Sequence, residues 1–187
     1  MPVYLTALQA LQNNAIRLHR EVLTAGIQQL ENEMITIWHM ANMIYAESII
    51  RTLAFLPADT REPSPQDAYK MQQALKAYSN ITQMADAISD AGLVLRNGII
   101  LASNRLHLSP EDFYGNFMRV DGSNSYLQWQ EAISSSERLW SIASVHVHTL
   151  AGERDALLFS ISLSSYPKWS NYFYAVLDID TVVNMLS

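Results

Sequence analysis

The chain has 187 residues, 49% of them hydrophobic and 16% charged, which suits a single folded domain with a proper core. Twelve Lys and Arg against eighteen Asp and Glu give a net charge of −6 and a pI near 5.2; without a basic cluster, this excludes a nucleic-acid partner. No cysteine is present, which rules out disulfides, thiolate zinc sites and cysteine nucleophiles, and no run of eighteen apolar residues spans a membrane.

The N-terminus lacks the charged and apolar regions of a signal peptide, so any export signal is expected outside these residues. Residues 3–48 contain no proline and one glycine, Gly26. Apolar residues recur there at steps of three and four: Tyr4, Leu8, Leu11, Ala15, Leu18 and Val22, then, one position out of phase, Leu23, Ile27, Leu30, Met34, Ile37, Ala41 and Ile44. That spacing predicts one long amphipathic helix, ~65 Å at 1.5 Å per residue and longer than a domain of this size is wide. Residues 1–48 are therefore expected to form a stalk and packing helix. Leu23 to Ile44 should pack on the rest of the chain, and the part before Gly26 should project or pair with a second copy.

Residues 49–187 form the remaining unit. Ile49 to Leu56 reads as a short apolar continuation, and Pro57, Pro63 and Pro65 with Asp59 and Thr60 mark a loop. Ser64-Pro65-Gln66-Asp67 starts a second helix with Ser64 as N-cap; Ala68, Met71, Ala74, Leu75 and Tyr78 share its face, and it should end near Asn80. The period becomes extended from about Ala85. Asp90–Leu95 and Ile99–Ser103 are expected strands joined by Arg96-Asn97-Gly98, a hairpin signal because Asn and Gly tolerate positive φ. Ser109 should cap a short helix holding Phe113, Tyr114, Phe117 and Met118, and His107 falls in a solvated loop before it. Asp121-Gly122-Ser123-Asn124 reads as a turn, Tyr126 to Ile133 as a helix presenting Trp129, and Ser134 to Ser136 as a loop.

Three alternating segments follow. Ile142–Leu150 sets Val145 and Val147 against Ser144, His146 and His148, and after a turn at Gly152, Ala156–Ser164 alternates Leu157, Phe159, Ile161 and Leu163 with serines. A loop with Tyr166, Pro167 and Trp169 leads to Asn171–Ile179, where Tyr172, Tyr174, Val176 and Asp178 oppose Phe173, Ala175 and Leu177. Asp180 should cap a last helix, Thr181–Leu186. The fold class is α+β: a long N-terminal helix packed on a five-stranded antiparallel sheet with short covering helices.

This order, with "LVLRNGIILASNRLHLSPEDFYGNFMRVDGSNSYLQW" (93–129) and "LLFSISLSSYPKWSNYFYAVLDIDTVVNML" (157–186), resembles the Cache family of PAS-like sensor domains, and more narrowly the membrane-distal half of a double Cache ectodomain. The resemblance implies an extracytoplasmic, small-molecule-sensing domain of a bacterial transmembrane signalling protein, such as a histidine kinase or helix-turn-helix regulator. Ligand binding would shift the packing of sheet against helix. Trp129 stands in Tyr-Leu-Gln-Trp-Gln, without the arginine and Trp-Tyr pair of the family's amino-acid-binding signature, so the resemblance does not extend to amino acids.

Tyr172, Tyr174 and Asp178, with Trp129 and Trp140, are expected to line a ligand cavity, since aromatic walls and a carboxylate suit a small polar or cationic molecule; the same residues also serve as ordinary packing for a half-buried sheet. His146 and His148, two apart on a strand, share a face and join the candidate ligand-binding set. As metal ligands they lack a spaced third partner, for which Asp178 is the nearest candidate, and no metal is assigned. No cofactor is implied; a haem- or flavin-bearing PAS-like domain is a remote alternative. Catalysis finds no support: Asp178 and Asp180 suit a strand end and a cap, no G-x-S-x-G or S-x-x-K accompanies the serines, and six scattered glycines form no phosphate loop. His19 and His39 read as surface residues. The alternative function is a scaffold or dimerisation module that works through the first helix and binds no ligand.

Overall fold

The computed structural model describes residues 2–57, 63–83, 88–122, 125–134, 140–149, 152–163 and 171–186, with side chains from residue 16 onward except 132–134, 140, 149 and 186. Helix α1 runs Pro2–Ala46, followed by α2 (Ser48–Leu53) and α3 (Pro65–Thr82). Strands β1 (Ile88–Val94), β2 (Ile100–Ala102) and β3 (Arg105–His107) precede α4 (Pro110–Asn116), β4 (Met118–Val120) and α5 (Tyr126–Ser134). Strands β5 (Trp140–Thr149), β6 (Gly152–Ser162) and β7 (Tyr172–Asp178) then lead into α6 (Ile179–Leu186). The expected loops at 58–62, 135–139 and 164–170 and the residues Ser123 and Asn124 lie outside the described residues.

The architecture is α+β, with a long N-terminal helix and an antiparallel sheet of seven strands in the order β3-β2-β1-β7-β6-β5-β4. The expectation of five is corrected by two three-residue edge strands. Arg105–His107 pairs with β2, and Met118–Val120 with β5, from a segment whose Met118 had the pattern of a helix. Three residues carry barely more than one period of alternation, too little to separate strand from loop.

The two hairpins divide the turn chemistry. Gly98 takes φ +88°, and Asn97 instead uses its side chain, donating Nδ2 to Leu53 O at 2.7 Å and Leu56 O at 3.0 Å, which ties the hairpin to the end of α2. At the β2–β3 turn Ser103 and Asn104 both adopt positive φ (47° and 58°), as a two-residue hairpin turn demands. The predicted caps form. Ser64 Oγ accepts from Asp67 N and Ser109 Oγ from Asp112 N, each at 3.2 Å, with Pro65 and Pro110 at the first helical positions. Helix α6 begins directly after β7, so Asp180 lies in its first turn and does not cap it.

Alternation splits the core into two. Phe173, Ala175 and Leu177 of β7 join Leu93, Leu101, Phe159 and Ile161 against α1, α2, α3 and α6. Tyr172, Tyr174 and Val176 face the other way, with Val94, Leu158, Phe113, Tyr114 and Trp129, under α4 and α5. Strand β7 is thus buried on both sides, as its near-continuous apolar run requires. Along α1, Ile37, Met40, Ala41 and Ile44 are buried and Leu30 and Met34 are half-buried. Leu23 and Ile27, expected to pack, remain more than half exposed, so burial starts one turn later than the phase shift at Gly26 suggested.

Candidate functional site

The α4–α5 side of the sheet carries the densest chemistry. Trp129, fully buried, stands edge-on to the ring of Tyr174 with centroids 5.5 Å apart, and Tyr126 and Tyr114 each lie 5.8 Å from it. These are favourable aromatic separations. Tyr114 is held by Val120, whose N–H donates to its Oη at 3.3 Å while the hydroxyl donates to Val120 O at 3.2 Å. Three polar atoms in this cluster, Tyr126 Oη, Trp129 Nε1 and Tyr174 Oη, are buried without a hydrogen-bond partner. Burying such a group unpaired costs about 1–3 kcal/mol, so the three together are the most costly polar feature of this core. Burial raises the pKa of Tyr126 above its ordinary value and that of Tyr174 well above it; the Asp90 carboxylate adds to the latter.

Asp90, two residues before Gly92 on the same side of β1, extends the cluster. Its Oδ1 accepts from Ala91 N and Ser103 Oγ, both at 2.9 Å. Burial pushes its pKa up, against those two hydrogen bonds and the nearby charge of Arg154. The cavity of about 180 Å³ that it lines is formed with Tyr78, Thr82 and the C-cap Gln83 of α3 and with Ser89, Ser103 and Asn104, and no ring of the aromatic cluster lines it. Tyr78 Oη donates to Ala91 O in the floor of this region. The β2–β3 turn, with its two positive-φ residues, is what brings Ser103 to the carboxylate.

The residues expected from the sequence are only partly brought together. Trp129, Tyr172 and Tyr174 share one core, but as packed rings and not as the rim of an open cavity behind Tyr172 and Tyr174. Asp178 lies at the end of the same side, 3.7 Å from Arg154 Nη1, so its charge is answered by a guanidinium whose Nε has no partner. His146 and His148 point to the opposite side of β5, because strand residues of even number there oppose Val145 and Val147. They cannot share a pocket with Tyr174. Nor is Asp178 their carboxylate neighbour: His146 Nδ1 lies 2.8 Å from Asp155, and His148 meets Asp121 at 3.0 Å and Glu153 at 2.9 Å. The hydrogen bond to Asp121, then that to Glu153, raises the pKa of His148. Trp140 pairs with Ile161 through its backbone, and its side chain lies outside the described residues. His107, expected in a solvated loop, sits on β3 between Phe113 and Phe117 (4.9 and 4.5 Å), with Nε2 buried and unpaired and its pKa lowered by burial and by Arg105.

Sequence reading missed Asp90 and Tyr126. A carboxylate at an alternating position of a strand buried on both sides was the available signal for Asp90. On the opposite face of the sheet, Glu31, Met34, Ile35, Trp38 and Phe159 line an apolar groove of about 320 Å³ along α1. Among the described residues no helix is long and apolar enough to cross a membrane.

No family model matches the chain, and none of the curated proteins does. Among solved structures, the chain is similar to the sensory domain of the Campylobacter jejuni chemoreceptor Tlp3 (CcmL) with isoleucine bound, at a TM-score of 0.47 and 12% identity. It is also similar to the ligand-binding domain of that receptor in complex with L-valine (TM-score 0.47) and with L-norvaline (TM-score 0.48), both at 12% identity. Each comparison covers 95% of this chain, which spans 65%, 65% and 63% of the three neighbours, respectively.

Proposed function

We propose that the chain is the extracytoplasmic small-molecule-sensing domain of a bacterial transmembrane signalling receptor, with its ligand site on the α4–α5 side of the sheet. The observation that carries this reading is the set of three unpartnered polar atoms, Tyr126 Oη, Trp129 Nε1 and Tyr174 Oη, in one aromatic core. The charge of Asp90 acts on Tyr174, and Arg154, whose Nε is unpartnered, acts on Asp90. Donors, acceptors and a carboxylate among aromatic rings suit a small polar organic molecule. Because the rings are packed together, the ligand enters by displacing the α4–α5 layer, and the state with that layer displaced is the one it stabilises.

The route outward is short. Strand β7 carries Tyr174 on one face and Phe173, Ala175 and Leu177 on the other, against the core that α1 and α6 share. A shift of β7 therefore reaches both helices without an intervening loop, since α6 starts at Ile179. The extracytoplasmic location and the receptor class rest on the resemblance of residues 93–129 and 157–186 to Cache domains.

The test is a thermal-shift screen of polar metabolites on the wild-type chain, Tyr174→Phe and Asp90→Asn. Compounds that raise the Tm of the wild type and not of the two variants support the site; compounds that protect all three equally move it elsewhere.

A dimerisation module is the second reading, favoured by the exposed apolar residues Ile16, Leu18, Val22, Leu23, Ile27, Ile35 and Trp38 along α1. Sedimentation equilibrium of the wild type against Leu23→Glu/Ile27→Glu separates the two: a dimer dissolved by the charges, with no ligand found, favours the module.

A further inference from the structure

Away from the aromatic core, Asp121, His146 and His148 bring one ligating atom each to within 4.8 Å of the other two. The backbone prepares this grouping. Asp121 follows β4, and its N–H donates to His146 O at 3.0 Å, which carries the β4–β5 ladder one step past Val120 and Val147. The β5–β6 register then sets Asp155 directly across from His146 and Glu153 directly across from His148.

Those two carboxylates fix the imidazoles. His146 Nδ1 lies 2.8 Å from Asp155 Oδ1 and His148 Nδ1 2.9 Å from Glu153 Oε1. A carboxylate can only accept, so Nδ1 carries a proton in both residues, and in His146 this leaves Nε2 with its lone pair. Metal-ligating histidines are oriented in just this manner, one nitrogen donating to a carboxylate while the other binds the ion. His148 adds a second sign: its Nε2 lies 3.0 Å from Asp121 Oδ1. In the unmetallated protein a ring proton bridges this pair as a hydrogen bond, and the same two atoms are placed for an ion to take that proton's position.

We propose that Asp121, His146 and His148 form a site for a divalent first-row transition ion, zinc foremost, with Asp155 and Glu153 orienting the two imidazoles. Imidazole with carboxylate is a donor set suited to zinc, nickel and copper, and far less to calcium or magnesium. Around a tetrahedral zinc with bonds of about 2.1 Å, donor atoms stand about 3.4 Å apart. The present spacings bracket that value, and the Asp121 side chain, 64% exposed, is free to adjust. Three protein donors leave a fourth position for water or an external ligand. The ion would clamp the edge strand β4 to β5, whose Val120 and Val147 lie in the core beneath Trp129. This proposal stands on residues on the opposite side of β5 from Tyr174 and does not depend on the ligand site there.

The test uses tag-free, chelator-stripped protein titrated with Zn²⁺ by calorimetry, with Co²⁺ as a spectroscopic substitute. One ion per chain is expected, with visible Co²⁺ absorption. His148→Gln and Asp121→Asn should each weaken binding at least tenfold, and Asp155→Asn and Glu153→Gln about 10–100-fold, the range seen when the orienting group of a histidine ligand is removed. Circular dichroism melts check that each variant folds, and the exposed carboxylate variants keep the test open should a histidine variant not do so. Absence of saturable binding overturns the proposal. So does a stoichiometric site whose affinity is unchanged in both Asp121→Asn and Asp155→Asn, since that ion would sit elsewhere, for example at His19 or His39.

Discussion

The ring of Tyr174 occupies the space that a side chain on Gly92 would need: across the β1–β7 ladder these two are paired, and a β-carbon at residue 92 would stand 2.2 Å from Cε1 of the ring. Glycine is required here for close approach. Gly92→Ala is therefore expected to lower stability by about 1–3 kcal/mol, the usual cost of overpacking a core. In the Tyr174→Leu background the same change should be nearly neutral. Urea unfolding of the four proteins gives the coupling directly, expected within the 0.5–3 kcal/mol found for residues in contact. Additive effects would show that the ring moves aside at no cost.

Tyr174→Phe removes an unpartnered hydroxyl and keeps the ring. Stability should hold or rise, by up to about 1–3 kcal/mol, because no native hydrogen bond is lost and a desolvation cost is relieved. Chemical denaturation with unchanged m-value is the measurement. A loss of more than about 1 kcal/mol would mean that the hydroxyl has a partner in solution.

Asp90 makes a pH prediction. Burial raises its folded-state pKa above the ordinary 3.8, so the folded protein holds this proton more tightly than the unfolded chain. The contribution of Asp90 to stability is thus highest below the unfolded value and falls as pH rises through the folded one. Asp90→Asn, which can still accept from Ser103, should raise Tm at pH 7. Its advantage should shrink as pH drops through the folded pKa. A Tm difference independent of pH would remove burial of the charge as the cause.

Helix α1 should change character along its length. Ile37→Ala and Ile44→Ala, both at fully buried positions, are expected to cost about 2–5 kcal/mol. Leu23→Ala and Ile27→Ala should stay within about 0.5 kcal/mol at low protein concentration. A cost that grows with concentration would reveal a second molecule covering these side chains.

Much of this fold is legible in the residues. The long helix, the caps at Ser64 and Ser109, the Asn97-Gly98 turn and the two-sided alternation of β7 each follow from local chemistry strong enough to survive tertiary context. The edge strands are not legible, because Arg105–His107 and Met118–Val120 are strands only through the partners they meet. The candidate site shows the same division. Period-two reasoning correctly grouped Tyr172, Tyr174 and Asp178, and His146 with His148. It could not say that these sets lie on opposite sides of one sheet, since relating strands requires the register. Asp121 and Asp90 became neighbours of their partners through a turn and a ladder, relationships that no single segment contains.

The strand order has a kinetic consequence. Strands β5, β6 and β7 join as a meander, but the middle of the sheet is closed by β1 against β7, with Ser89 Oγ donating to Val176 O across 87 positions of sequence. Closing so long a loop is entropically expensive before any contact rewards it, and such pairings slow folding. The meander should therefore form early and wait with one flank of β7 unpaired, while residues 88–94 arrive late to complete it. The sheet's centre, expected to assemble last, is also where Tyr174 meets Gly92.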